Sequence, residues 1–233
     1  MFLRRPEFDR YARYMSQGSV REIFSWDDMC DVELPVPSIA EQNEIVAAYK
    51  AIENRINIKK KINDNLEAQA FSIYKTHTAN KEASTDLAEI ATITMGTSPE
   101  GETFNTNGIG DVFYQGRTDF GFRFPTIRLY TTDGKRYAKT NDILMSVRAP
   151  VGDVNIAKED CAIGRGLASI RPRDNCYSFL YYTMQELNFE LNKFNSEGTV
   201  FGSITKDDLF SLKIVPLTSE ERKSFESVVA PID

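Results

Sequence analysis

Histidine, tryptophan and cysteine are scarce in this 233-residue chain, which has one His, one Trp and three Cys. The cysteines, Cys30, Cys161 and Cys176, are odd in number, widely spaced and without a C-x-x-C pair. That argues against a disulfide framework or a structural zinc and for a reducing, cytoplasmic setting, with the three thiols expected as small core side chains. No window approaches the ~18 apolar residues of a membrane span, and Met1-Phe2-Leu3-Arg4-Arg5-Pro6-Glu7 lacks a signal-peptide apolar run, so no membrane is expected as a partner. A G-x-x-x-x-G-K-S/T phosphate loop is missing, and Gly108-Ile109-Gly110-Asp111 lacks the third glycine of a dinucleotide fingerprint. A nucleophile-histidine-acid arrangement would rest on His77 alone, at the end of a helical stretch. The chain is therefore expected to be non-catalytic by itself, with no catalytic residue and no metal ligand.

What is present is apolar surface to bury. Fifteen Phe, ten Tyr and a hydrophobic share of 41% exclude disordered and collagen-like classes. The net charge of −6 argues against a uniformly basic nucleic-acid binder, whose pI lies above about 9. The distribution of charge says otherwise. Between Gln115 and Arg173 eleven basic residues face six acidic ones, so this segment carries +5 and the remainder −11.

The chain echoes itself at a spacing of 180 residues. Gly18-Ser19-Val20, Trp26-Asp27-Asp28-Met29 and Val32-Glu33-Leu34-Pro35 recur as Gly198-Thr199-Val200, Lys206-Asp207-Asp208-Leu209 and Leu212-Lys213-Ile214-Val215, and Glu41-Gln42 recurs as Glu221-Arg222. Each copy reads as a glycine turn, an Asp-rich helix start, a short apolar strand, a proline and an acidic first helical turn. Residues 1–37 then form the tail of a unit whose complete copy lies at 80–217.

Between the copies, Ile39 to His77 holds no Gly and no Pro, and Ser38 with Glu41 forms a capping-box signature. Ile45, Tyr49, Ile52, Ile56, Leu66, Ala70 and Ile73 recur in steps of three and four, with Lys59 and Asn63 as a polar break. The spacing predicts a rod of about 58 Å at ~1.5 Å per residue, too long to cover its own stripe. Ile45, Tyr49, Ile52, Ile56, Leu66 and Ile73 are the candidate helix-partner interface. From 80 to 217 the texture changes to short apolar runs: Ala88–Ile93, Val112–Tyr114, Asp142–Val147, Val154–Ala157 and Leu167–Ile170 as strands, with a helix at Tyr177–Lys193. The fold class is α+β, a mainly short-stranded domain joined to a long coiled-coil-forming helix. The division is 1–37 (domain tail), 38–79 (spacer helix), 80–217 (complete domain) and 218–233 (start of a second helix).

Several basic residues sit beside glycine or proline, in Gly116-Arg117, Gly134-Lys135-Arg136, Arg148-Ala149-Pro150 and Gly164-Arg165-Gly166. A tight loop lets a guanidinium approach a phosphate or a guanine edge, and Gln115, Thr97 and Ser98 add groups able to pair with adenine or phosphate. Thr97, Ser98, Gln115, Arg117, Lys135, Arg136, Arg148 and Arg165 are the candidate DNA-binding residues. The competing view is a coiled-coil interaction or scaffold protein whose basic loops are incidental.

The run Leu34-Pro35-Val36-Pro37-Ser38-Ile39-Ala40-Glu41-Gln42 leading into a long helix resembles an element of the specificity (S) subunits of Type I restriction-modification systems. Leu87–Ile90, Gly96-Thr97-Ser98-Pro99, Phe113–Gly121, Asp142–Asp153 and Ile163–Ala168 resemble, in order, the target recognition domain of that family. The resemblance implies a non-catalytic reader of one half of a bipartite double-stranded DNA target. It also implies docking of modification (methyltransferase) subunits on the helix and a restriction (translocase/endonuclease) subunit beyond them. S-adenosylmethionine, ATP and Mg2+ would be bound by those partners and no cofactor by this chain. Such a subunit has two full domains and two full helices, whereas this order is domain tail, helix, domain and helix start. Either a fragment of a longer subunit or a half-length form fits, and in the second case two copies could pair through Ile45–Ile73 as a homodimer.

Overall fold

A computed structural model describes residues 2–16, 23–34, 36–191 and 202–232. The glycine turns Gly18–Val20 and Gly198–Val200 of the sequence echo lie outside the described residues, as does Lys193. Two compact units divide the chain, Met1–Lys61 and Ile62–Asp233, with the boundary inside a helix. Among the described residues no helix is long and apolar enough to cross a membrane.

The first unit holds α1 (Pro6–Met15), α2 (Trp26–Cys30) and the first part of α3 (Ile39–Thr78). Pro6 starts α1, where its missing N–H is no loss. Phe24 packs edge-on against Phe8 and Tyr11 of α1, with centroids 6.2 and 6.4 Å apart. Cys30 is exposed, which corrects the expectation of three core thiols. The local cause is that α2 buries no residue against the other described residues, its last position included. Cys161 and Cys176 are buried, and burial raises both thiols to about 12, so they stay protonated and inert at neutral pH.

Helix α3 has 40 residues, a length of about 60 Å. It begins where Ser38 and Glu41 cap each other: the Ser38 N–H donates to Glu41 Oε2 at 2.8 Å and the Glu41 N–H to Ser38 Oγ at 3.3 Å. Its C-terminal end belongs to the second unit, where Ala70 and Tyr74 are buried and Phe71 and Ile73 pack on the core.

In the second unit, β1 (Thr85–Asp86) is followed by one helical turn, α4 (Leu87–Ile90), and then by β2 (Ala91–Met95). The strand predicted over Ala88–Ile93 thus starts later. Asp86 is the reason: its N–H donates to Glu89 Oε1 at 3.2 Å in a capping box that winds the intervening residues into a turn. The strands β3 (Phe104–Asn105), β4 (Asp111–Tyr114), β5 (Leu129–Thr131), β6 (Tyr137–Ala138), β7 (Ile143–Ser146), β8 (Val154–Ile156), β9 (Cys161–Ile163) and β10 (Leu167–Pro172) follow. After them come α5 (Tyr177–Leu191), α6 (Lys206–Phe210), β11 (Lys213–Ile214) and α7 (Ser219–Val229).

These strands form an antiparallel sheet in the order β2-β10-β7-β8, a mixed sheet in the order β3-β5-β4-β9-β6 whose β4–β9 pair is parallel, and the two-stranded pair β1-β11. Alternation along the central strands shows how the layers stack. Ile143, Met145, Ala168 and Ile170 join a core with Tyr74, Phe179, Tyr182 and Phe225 of the helices, whereas Leu144 and Leu167 join a second core with Val112, Tyr114, Cys161 and Ile163 of the mixed sheet. The antiparallel sheet is therefore covered on both faces, which explains why β7 is apolar along most of its length instead of alternating. The result is an α+β domain.

The 180-residue echo has a structural counterpart. Ser25 caps α2 with Asp28 and Thr205 caps α6 with Asp208, while Ser38 caps α3 with Glu41 and Thr218 caps α7 with Glu221. Residues 32–34 form no strand, although their counterparts lead into β11. A strand needs a partner, and β11 has one in β1: Thr85 faces Ile214 and Asp86 faces Lys213. Lys81, then the Thr218 backbone, hold the Glu221 carboxyl down to about 2, so its contribution persists above the ordinary carboxylate range and is lost as pH falls toward 2.

One buried carboxylate ties the two-sided sheet to its loops. Asp142 is fully buried and accepts from Arg171 Nε at 2.7 Å and Nη2 at 2.8 Å, from Ser169 Oγ at 2.6 Å and from the Lys139 N–H at 2.8 Å. Replacing it strands those donors at the edge of a dry core. Asp142→Ala should destabilise the domain by about 3 kcal/mol, measured as a lowered urea midpoint at unchanged slope.

Candidate nucleic-acid interface

The turn that carries Gly164-Arg165-Gly166 joins β9 to β10, so it springs from the mixed sheet and enters the antiparallel one. Four loops are hydrogen-bonded to it or to its flanks. The Gly164 N–H donates to Tyr114 O at 2.8 Å and the Gly166 N–H to Gln115 O at 3.2 Å, seating the Gln115-Gly116-Arg117 loop at the end of β4. The Thr97 N–H donates to Ile163 O at 3.0 Å and the Arg165 N–H to Ser98 Oγ at 3.2 Å, seating the loop after β2. The Val147 N–H donates to Gly166 O at 2.9 Å, and the Arg148 backbone bridges Ser203 beyond it. On the flank, the Ile163 N–H donates to Arg136 O at 2.9 Å.

Residues scattered from position 97 to 165 are thereby brought onto one surface: Thr97, Ser98, Gln115, Arg117, Arg148 and Arg165 around the turn, with Lys135 and Arg136 beside it. All but the half-buried Ser98 are exposed. Their charges are not equally available. Arg117 Nε donates to Asp153 Oδ2, and Lys135 pairs with Asp133 at 2.6 Å. Arg136, Arg148 and Arg165 form no ion pair among the described residues. These three guanidiniums are free to meet an anion or a base edge.

Two acidic residues that local sequence patterns did not single out shape the surface. Asp153 restrains Arg117, and its own N–H donates to Ser146 Oγ at 3.0 Å while Ser146 Oγ donates to Pro150 O at 2.6 Å, closing the loop that carries Arg148. Asp119, 2% exposed, accepts from the Gln115 N–H at 2.9 Å and from Arg128 Nε and Nη2 at 2.8 and 2.6 Å. On the rim, the Tyr137 hydroxyl donates to Asp111 Oδ2 at 2.8 Å, and this bond raises its pKa. Among the described residues no group of three or more His, Cys, Asp and Glu is placed to hold a metal ion. His77 lies apart from this surface, its Nδ1 3.0 Å from Ile73 O and its ring edge-on to Phe225.

The candidate helix interface divides in two. Ile45, Tyr49, Ile52 and Ile56 are half to two-thirds exposed, while Leu66 is half-buried and Ile73 packs on the core of its own domain. The repeat adds a comparison: Phe225 and Val229 of α7 stand 180 positions after Ile45 and Tyr49, and both are 0% exposed. Phe225 lies edge-on to Tyr74 and Phe179, with centroids 6.1 and 5.9 Å away.

Close approach of main chains holds the charged surface together. A Cβ on Gly96 would lie 2.2 Å from Gly164 O, and one on Gly164 would lie 2.9 Å from the Gln115 Cα. Neither neighbour is a flexible side-chain end. Gly96→Ala should destabilise the domain by about 1–3 kcal/mol in urea unfolding and displace Thr97 and Ser98 from the turn, seen as amide shifts confined to residues 96–98, 115–117 and 164–166.

Residues 82–226 match the family of Type I restriction modification DNA specificity domains. Among curated proteins, the chain is 31% identical over 245 residues to the specificity subunit of the type I restriction enzyme MjaX of Methanocaldococcus jannaschii, with 95% of this chain and 56% of that protein covered. Among solved structures it is similar to the HsdS subunit of Thermoanaerobacter tengcongensis, with 32% identity, a TM-score of 0.60 and 95% and 57% of the two chains covered. It is also similar to a chain from a structure concerned with assembly and conformational transition of the type I R-M system, with 35% identity, a TM-score of 0.56 and 86% and 52% covered. The chain thus spans about half the length of the relatives it matches. Matched over more than half of its length, it belongs to the family of Type I restriction-modification DNA specificity domains.

Proposed function

We propose that this chain reads one half of a bipartite double-stranded DNA target for a Type I restriction-modification complex. The observation that carries the reading is the convergence of Thr97, Ser98, Gln115, Arg148 and Arg165 on one glycine turn, with Arg136, Arg148 and Arg165 lacking ion pairs among the described residues. Unpaired guanidiniums on exposed loops supply phosphate contacts that set register and bidentate contacts that specify guanine. The +5 segment from Gln115 to Arg173 provides the local attraction that the net −6 conceals.

The reaction chemistry lies elsewhere in this reading. Modification (methyltransferase) subunits bring S-adenosylmethionine and dock along α3, a restriction subunit brings ATP and Mg2+, and this chain contributes position and sequence selectivity. Arg148→Ala and Arg165→Ala, each assembled with the methyltransferase partner, should weaken binding to the cognate duplex by about tenfold and reduce the salt dependence. Fluorescence anisotropy over a salt series checks this; wild-type affinity in both variants would remove the surface from DNA recognition.

The exposed stripe from Ile45 to Ile56 takes a partner helix in the same reading, since its repeat counterparts Phe225 and Val229 bury their side chains against helices. A second copy of this chain is the partner proposed for the chain on its own. Ile45→Asp combined with Tyr49→Asp should convert dimer to monomer in sedimentation velocity, and an unchanged mass would assign the stripe to another subunit.

A further inference from the structure

Arg128 is absent from the glycine-flanked basic residues, because Ile127 and Leu129 surround it and nothing local marks it out. Its placement is nevertheless the most tightly defined of any arginine near the Gln115 loop. Nε and Nη2 both donate to Asp119 Oδ1, at 2.8 and 2.6 Å, and Nη2 also reaches Thr118 Oγ1 at 3.1 Å. The Arg128 side chain is 52% exposed although the Asp119 side chain that holds it is 2% exposed. The other oxygen of that carboxylate, Oδ2, accepts the Gln115 and Gly116 N–H groups at 2.9 and 3.4 Å. The Thr126 N–H closes the second strand of the loop on Asp119 O at 2.8 Å. One buried carboxylate therefore fixes both the loop bearing Gln115 and Arg117 and the fork of Arg128.

Resting on the DNA-reading function proposed above, we infer that Arg128 is a further base-reading residue and that Asp119 is the positioning residue that sets its angle. An exposed arginine has large rotamer freedom to lose on binding. A guanidinium already locked on its Nε/Nη2 edge by a buried carboxylate has little left to lose, and with Nη2 also on Thr118 it keeps the two Nη1 N–H donors in a fixed plane. Two donors held at a set angle suit a fixed acceptor pair such as the O6 and N7 of guanine, whereas a phosphate is satisfied by any nearby positive charge. Asp119 contributes no contact of its own, being a buried acceptor whose oxygens are already occupied.

The test compares Arg128→Lys, Arg128→Ala and Asp119→Asn, each assembled with the methyltransferase partner. For each, binding to cognate and random duplex is measured across a salt series, alongside thermal melting and the methylated motif. Arg128→Lys keeps the charge but not the planar donors that Asp119 holds. It should bind random DNA as the wild type does, with the same salt slope, while its preference for the cognate duplex falls about tenfold and the motif relaxes at one position. Asp119→Asn should lose the same preference without losing random-DNA affinity. A merely structural role for Asp119 would lower the melting temperature and both affinities together, and Arg128→Lys, which leaves Asp119 intact, then carries the test. Retention of the wild-type preference by Arg128→Lys overturns the inference. So does an equal loss of cognate and random binding in Arg128→Ala, which would mark a phosphate contact. A wild-type complex that shows no preference for any duplex would instead fail the DNA-reading function itself.

Discussion

Close backbone packing at the Gly164-Arg165-Gly166 turn is the constraint on which the rest of the surface depends. Gly96, Gly164 and Gly166 bring three main chains nearer than side chains would permit, and the main-chain hydrogen bonds made there leave the flanking polar residues pointing outward. Side chains of Ser98, Asp119 and Ser146 complete the frame by accepting backbone N–H groups of these loops. The rigidity comes from below, where the turn bridges a mixed sheet and an antiparallel sheet that share a core of Val112, Tyr114, Leu144, Cys161, Ile163 and Leu167. Readers of nucleic acid benefit from such stiffness, because loops that must be ordered on binding lose affinity to ordering entropy.

Electrostatics then divides the basic residues into classes that net charge cannot distinguish. Arg117, Lys135 and Lys139 are matched to Asp153, Asp133 and Asp160, exposed pairs that contribute little to stability but lower the field those cations project. Arg128 and Arg171 are bound to carboxylates that are almost fully buried, so their geometry is fixed by the core. Around the turn, Arg136, Arg148 and Arg165 form no ion pair among the described residues and remain for external anions. Carboxylates within the basic segment therefore act as selectors, deciding which guanidiniums are available and at what angle.

Much of this was legible because it is local. The capping box at Ser38 and the lack of Gly and Pro through His77 mark a helix that runs from Ile39 to Thr78, and the short apolar runs mark β4, β7, β8 and β10. The convergence of the glycine-flanked loops was legible only as a coincidence of composition, since the contacts join residues distant in sequence, Ser98 and Arg165 among them. What escaped were the effects of tertiary partners. The exposure of Cys30 depends on what fails to cover α2, whereas the turn at Leu87–Ile90 rests on a local cap, Asp86 with Glu89, hidden in sequence by the apolar run around it. The pairing of Arg117 with Asp153 spans 36 positions, and the Asp119 clamp on Gln115 and Arg128 carries no periodic signature at all.

In the function proposed, the domain over residues 80–217 selects the DNA sequence while α3 supports assembly. Exchanging those residues for the matching segment of a relative, in a host carrying the methyltransferase partner, and sequencing the methylome tests it most directly. One half of the methylated motif should change with the exchanged segment. An unchanged motif would contradict it and leave the chain a scaffold whose basic loops do not read DNA.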